Sequence, residues 1–249
     1  MLKQELVDTL EELFALGGNQ DLIRLTEVRS KLVYFLSQTE QLLGCQDNEN
    51  VVIAKDVVRF CDANVVYADT TNRAKANKHI QPFFDRLLQL DSWSSYELKI
   101  LTSSVEYIEN VDQLREFSHR VILEFSMFEN PEHTKYPDEL KGYFALNMCS
   151  RLLYAKFFDD ADDEFLVPFM TWAFELEELS ERNNELAEIS LVTQVRRAVF
   201  HQSPLDMSKL LIQLKNDYDA KVYAAIEKEV GFYLASEKYI NYFKNQMTR

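Results

Sequence analysis

Polar side chains repeat along residues 138–158, and this segment is the part of the sequence best suited to bind a ligand. Tyr143, Asn147, Arg151 and Tyr154 follow one another at helical intervals and therefore share one stripe of a helix. An asparagine amide can pair with the backbone of an extended peptide, and an arginine one turn away can hold a carboxylate through two hydrogen bonds. The tyrosines add contact area. A solvated polar flank would show the same spacing, so spacing alone leaves both interpretations open.

Residues typical of catalysis or metal binding are scattered. The histidines lie far apart without an H-E-x-x-H pair, and the cysteines form no C-x-x-C; these residues are His79, His119, His133, His201, Cys45, Cys61 and Cys149. The acids of 159–164 lack the glycine of a calcium-binding loop. Neither a glycine-rich phosphate loop nor a G-x-S-x-G motif occurs. We therefore expect no enzyme activity, no metal site and no cofactor.

Composition narrows the class of protein. The formal net charge is -14, so the chain lacks the basic surface through which proteins neutralise DNA phosphates. No apolar run approaches the roughly 20 residues of a membrane span, and three widely spaced cysteines are typical of reduced thiols. With only 5 Gly and 5 Pro, long helices fit better than a multi-stranded sheet. These features favour a cytoplasmic all-α protein that binds neither DNA nor membranes.

The helices that must position these side chains are organised around a strong helix start within 91–110. Ser94 and Glu97 form the S-x-x-E pattern of a capping box, while Trp93 and Leu98 have the spacing of a hydrophobic staple. Leu98 also begins a series of apolar residues at helical intervals that continues to Ile108. This series predicts one continuous helix.

The rest of the chain reads as further helices joined by short polar segments. They are predicted over 2–16, 22–43, 51–65, 82–90, 111–128, 138–158, 163–181, 184–202 and 204–216, with one or two more from 219 onward, bent at Gly231. The β-branched residues of 51–65 also permit strands. Pro82 suits the first turn of its helix, and the polar stretch 68–79 is interpreted as a loop with a partial helix. The predicted fold is a right-handed array of antiparallel helical hairpins with ten or eleven helices in one domain, 1–249.

Two segments resemble a known family. WSSYELKILTS, Trp93–Ser103, is similar to the W-G-Y-Y-E-L-x-L-F-G-N motif of the Rgg/GadR/MutR family of bacterial transcriptional regulators, and Trp93, Tyr96, Glu97 and Leu98 match it. FALNMCSRLLYAKFFDDA resembles the L-x-N-x-x-x-x-L-L…Y-x-x-A helix that follows in that family. The sequence departs from the motif at Ser94, Thr102 and Ser103, where family members often carry Gly, Gly and Asn.

The resemblance implies a tetratricopeptide-like superhelix, usually a homodimer, whose concave face binds a short signalling peptide in quorum sensing. It also implies that the family's N-terminal helix-turn-helix domain, which binds DNA, is absent from this chain. Asn147 matches the family's inner-face asparagine, Arg151 follows one turn later, and Arg196 and Arg197 either reach the same groove or form structural ion pairs. The implied peptide-binding residues are Asn147, Arg151, Tyr143, Tyr154, Ser103 and Arg197. The alternative hypothesis is a helical-repeat scaffold that binds a partner protein and no small ligand.

Overall fold

Helices dominate the described chain. The computed structural model of the protein describes residues 22–43, 49–126, 135–159 and 165–247. These residues form helices and short connections, and no strand occurs among them. The all-α prediction is thereby confirmed. The predicted helix over 2–16 and Cys45 lie outside the described residues, as do the acids 160–164.

The chain divides into two compact units, with the boundary between Asn110 and Val111. We describe each unit by itself. A single domain spanning 1–249 and the right-handed superhelix both stay predictions.

Helical hairpins build the first unit. Its described helices are α1 (Leu22–Leu43), α2 (Glu49–Thr70), α3 (Arg73–Leu87), α4 (Ser95–Ser104) and the 3-10 helix Val105–Tyr107. Ion pairs show that neighbouring helices are antiparallel: Arg29 of α1 donates to Asp62 of α2, and Arg86 near the end of α3 lies 2.5 Å from Asp56 near the start of α2. The apolar faces of these helices form the core of the unit.

The predicted helix start is present as the sequence indicates. The Glu97 amide donates to Ser94 Oγ at 3.5 Å, and the Ser94 amide donates to Glu97 Oε2 at 2.7 Å, so both halves of the capping box form. Trp93 and Leu98 are both buried, as a staple requires. The helix itself ends sooner than predicted, because a 3-10 turn replaces its last residues from Val105 onward.

One expectation for the first unit is right only in part, and a second is wrong. The stretch 68–79 is mostly helical, because α2 runs to Thr70 and α3 begins only three residues later. Thr71 interrupts the helical conformation with a φ of 50°. The side chain of Asn72 then caps α3 by accepting a hydrogen bond from the Lys75 amide at 2.9 Å. Pro82 consequently lies inside α3 instead of in its first turn.

The second unit continues with longer hairpins. Its described helices are α5 (Val111–Ser126), α6 (Lys135–Phe158), α7 (Leu166–Arg182), the 3-10 helix Asn184–Leu186, α8 (Ala187–Phe200), α9 (Pro204–Asp217), α10 (Ala220–Leu234) and α11 (Glu237–Met247). The predicted bend at Gly231 is wrong: this residue is exposed within α10, and the break comes at Ala235 and Ser236.

Cross-helix contacts fix the directions of the helices in this unit. Lys141 of α6 lies 2.7 Å from Glu175 of α7, and the rings of Phe169 in α7 and Phe200 in α8 stack with centroids 4.3 Å apart. Lys156 of α6 donates to the Phe200 carbonyl at 2.7 Å. Helices α6 and α7 are therefore antiparallel, as are α7 and α8, while α6 and α8 run in the same direction. None of the described helices has the length and apolar character needed to cross a membrane.

Among the described residues, each unit contains one buried cysteine, Cys61 in α2 and Cys149 in α6. Burial raises the pKa of each thiol from its ordinary value of 9.0 to about 12. The thiolate is the reactive form, and at pH 8 a group with this pKa is ionised in roughly one molecule in ten thousand. Both thiols are therefore inert while the protein is folded.

Alkylation tests this prediction. In a Cys45→Ser variant we expect iodoacetamide at pH 8 to modify neither cysteine in the native protein and both in denaturant, with the sites resolved by mass spectrometry of proteolytic peptides. The folded protein holds the thiol protons more tightly than the unfolded chain, so the contribution of these groups to stability is complete below pH 9 and declines as pH rises toward 12. Rapid native labelling of either site would contradict the burial.

Candidate functional site

Helix α6 carries the stripe of polar and aromatic residues that the sequence singles out. Tyr143 is 43% exposed, and Asn147 and Tyr154 are half-buried. The stripe continues to Phe158, four residues beyond Tyr154, which is 37% exposed. These residues therefore present an amide and three aromatic rings along one side of α6.

Arg151 belongs to the same stripe but is 1% exposed. Its Nη1 lies 2.7 Å from Asp159 Oδ2, and its guanidinium carbon lies 5.6 Å from the centre of the Tyr154 ring. The charge of Arg151 is thus matched by a carboxylate two turns further along the chain. A ligand can reach this guanidinium only if Asp159 or Tyr154 moves.

Arg196 of α8 connects α6 and α10. Its Nε and Nη2 donate to the two carboxylate oxygens of Glu229 at 2.9 and 3.0 Å, and its Nη1 donates to the Leu146 carbonyl at 3.0 Å. The two-point geometry is the strongest form of the arginine–carboxylate pair. Arg196 therefore holds α6, α8 and α10 together, which agrees with the interpretation of one arginine of this pair as a structural partner of carboxylates.

Aromatic rings also join α6 to α10. The ring of Phe158 stacks on that of Phe232 with centroids 4.7 Å apart, and Tyr154 lies 4.9 Å from Phe158. Phe232 is 52% exposed. We call the surface formed by Tyr143, Asn147, Tyr154, Phe158 and Phe232 the α6–α10 face.

Arg197 points to a different side of α8. Its Nη1 lies 2.8 Å from Glu177 Oε1, and its guanidinium carbon is 5.5 Å from the centre of the Phe174 ring, so it faces α7. It also lines a groove of about 400 Å³, here called the α8–α9 groove. The residues that line this groove are Gln194, Arg197, Ala198, His201, Ser203, Asp206, Lys209, Leu210 and Gln213. The adjacent residues Arg196 and Arg197 therefore lie on different sides of α8.

The implied site residues are only partly gathered together. Tyr143, Asn147 and Tyr154 share the α6–α10 face, and Arg151 lies beneath it. Arg197 lies in the α8–α9 groove, and Ser103 is a half-buried residue of α4 in the first unit. Their role in peptide binding stays a prediction.

Comparisons with family models, with curated proteins and with solved structures found no match to this chain.

Sequence reasoning missed several residues of these surfaces. Phe158 extends the spacing of the α6 stripe by one more turn and could have been found by continuing it. Phe232 and Glu229 come from α10, more than 70 residues later in the sequence, and no local spacing connects them with α6. Lys209 of the groove likewise carries no signal in the sequence.

Proposed function

We propose that the chain is the peptide-sensing part of a bacterial transcriptional regulator similar to the Rgg/GadR/MutR family. In this proposal it works in the cytoplasm as a homodimer, has no enzyme activity, and its hairpins form a right-handed tetratricopeptide-like superhelix. The resemblance at Trp93–Ser103 and along α6 supports the family, and the antiparallel hairpins of both units support the repeat architecture. Binding of DNA is left to a domain of the kind that precedes this region in the family.

The observation that carries the proposal is the link made by Arg196 between α6, α8 and α10. When hairpins stack, alternate helices line a common surface, and helical-repeat proteins use such a surface for binding. The α6–α10 face offers what an extended peptide requires: the Asn147 amide for the peptide backbone and exposed rings at Tyr143, Phe158 and Phe232 for apolar side chains.

The signal is a shift between two arrangements of the hairpins. A peptide can shift this equilibrium only by binding one arrangement more tightly than the other. Phe158 and Phe232 belong to different helices, so a ligand that contacts both favours the arrangement in which α6 and α10 lie side by side.

Titration calorimetry tests the peptide site. A pool of short apolar peptides is passed over the immobilised protein, and a retained peptide is synthesised and titrated. We expect Asn147→Ala to weaken its binding by about 1–3 kcal/mol, because the peptide backbone group that pairs with the amide loses its partner. Tyr143→Ala, at a more exposed position, should also weaken binding, because it reduces the area of contact with the peptide without disturbing the core.

The matched control is Tyr34→Ala, which removes an exposed tyrosine from α1 in the first unit and should leave the affinity unchanged. Unchanged binding in both Asn147→Ala and Tyr143→Ala would remove the α6–α10 face from the peptide site. Circular dichroism of each variant verifies that the helices are intact.

A scaffold for a partner protein is the second candidate function. Large apolar side chains are exposed on α7 and α9, namely Val167, Phe174, Leu205 and Ile212. Exposed apolar side chains of this kind occur at protein–protein interfaces when they form a contiguous patch. Retention of a folded partner protein, together with no retained peptide, would favour the scaffold over the sensor.

A further inference from the structure

The α8–α9 groove is a cavity separate from the α6–α10 face. It is lined by Gln194 and Arg197 of α8, by His201 directly after that helix, and by Lys209 and Gln213 of α9. The volume of about 400 Å³ falls in the range of roughly 300–1,000 Å³ that is typical of small-molecule sites. The groove is therefore large enough for a compact organic molecule.

Hydrogen-bond donors without a protein acceptor are concentrated in this groove. Within the described parts of the chain, the Lys209 ammonium has no ion-pair or hydrogen-bond partner, and the side-chain amides of Gln194 and Gln213 have none. Arg197 uses Nη1 for Glu177, which leaves further N–H groups of its guanidinium. Such a lining suits a ligand that is rich in acceptor oxygens.

One carboxylate, that of Asp206, lies in the lining and accepts a hydrogen bond from the Ser203 hydroxyl at 2.6 Å. The two cations of the lining are Arg197 and Lys209, and Arg197 shares its charge with Glu177 of α7. Lys209 is therefore the principal cation that a bound anion would meet.

His201 also lines the groove, and its pKa is lowered, first by partial burial and then by the nearby positive charges of Lys156 and Arg197.

We propose that the α8–α9 groove binds a small organic anion, whose carboxylate or phosphate oxygens accept hydrogen bonds from Lys209 and Arg197 and whose polar body lies between Gln194 and Gln213. This site does not depend on the proposed peptide site, because Arg196 and Arg197 face different neighbours of α8.

The test uses the full chain with citrate and inorganic phosphate as probes, in separate calorimetric titrations at an ionic strength matched with sodium chloride. We expect saturable binding of at least one probe with a dissociation constant below about 10 mM. Tighter binding of citrate assigns the site to carboxylates, and tighter binding of phosphate assigns it to phosphorylated molecules.

Variants on α9 locate the site. Lys209→Gln should weaken the bound probe by about tenfold or more, since it removes a charge-assisted hydrogen bond, and Gln213→Ala should weaken it to a smaller extent. Lys215→Gln is the matched control: this lysine also lies on α9, but it packs over the Tyr223 ring at 5.4 Å and does not line the groove. Equal affinity of wild type and Lys209→Gln, or no saturable binding of either probe, would overturn the proposal.

Discussion

Arg86→Met is expected to lower the free energy of unfolding of the first unit by about 3–5 kcal/mol, the usual cost of removing one partner from a buried ion pair. Arg86 Nη2 lies 2.5 Å from Asp56 Oδ2, and Asp56 is fully buried. Arg86 Nη1 also lies 2.7 Å from Glu97 Oε1. The substitution therefore deprives two carboxylates of one shared cation while keeping most of the apolar volume of the side chain.

Arg59→Met provides the matched control. Arg59 contacts the same carboxylate, with Nη1 2.7 Å from Asp56 Oδ1, but its side chain is more exposed and this pair lies within α2. We expect a loss of about 1 kcal/mol there, as for a partly solvated pair. Unfolding of this unit can be followed through the alkylation of Cys61, whose rate reports the opening of α2. Equal effects of the two substitutions would show that Arg86 is not the principal partner of Asp56.

The network around Arg86 shows how much of a motif can be predicted from sequence. The S-x-x-E spacing predicts that Glu97 reaches the Ser94 amide, and one carboxylate oxygen does so. The other oxygen binds Arg86, and Arg86 in turn binds Asp56, 41 residues before Glu97 in the sequence. Local spacing predicts the first contact because both groups lie within one turn. It says nothing about the others, which depend on how α2, α3 and α4 pack.

Helix boundaries also differ in how well the local sequence predicts them. Segments with strong periodicity, such as 22–43 and 204–216, form helices close to the predicted bounds. The errors occur where the conformation of a single residue determines a helix boundary. Thr71 adopts a positive φ, and the expected loop is confined to two residues. The C-terminal helices are interrupted at Ser236 instead of Gly231. Polar composition favoured a loop at 68–79, yet the Asn72 cap is sufficient to begin a new helix there.

The sequence predicts which residues share one stripe of α6, but it does not predict how deeply each of them is buried. The spacing of Tyr143, Asn147 and Tyr154 identifies one stripe of α6, and these residues do share a face. Arg151 has the same spacing but is buried against Asp159, because burial is set by the packing around α6 and not by its periodicity. Adjacent residues of a helix lie about 100° apart around its axis, so the side chains of Arg196 and Arg197 must point in different directions. Which partner each one meets depends on the positions of α7, α9 and α10.

Trp172→Ala is expected to destabilise the second unit by about 3–5 kcal/mol, because it removes the largest fully buried side chain and leaves a cavity. The indole Nε1 donates to the Ser118 carbonyl of α5 at 2.9 Å, and the ring meets Phe144 of α6 edge to face at 4.8 Å. Trp172 therefore joins α5 and α6 to α7. Trp172→Phe keeps most of the ring volume and loses the hydrogen bond, so we expect a smaller cost of about 1–2 kcal/mol.

Phe174→Ala on the same helix provides the control, since that ring is more than half exposed and its removal should cost less than about 1 kcal/mol. Alkylation of Cys149, which lies in the core of this unit with its thiol 3.8 Å from the Phe169 carbonyl, measures the opening of the second unit in each variant. Phe144 is one residue from Tyr143, so the loss of its support should also weaken any peptide bound on the α6–α10 face. If Trp172→Ala and Phe174→Ala expose Cys149 equally, the indole does not anchor α6.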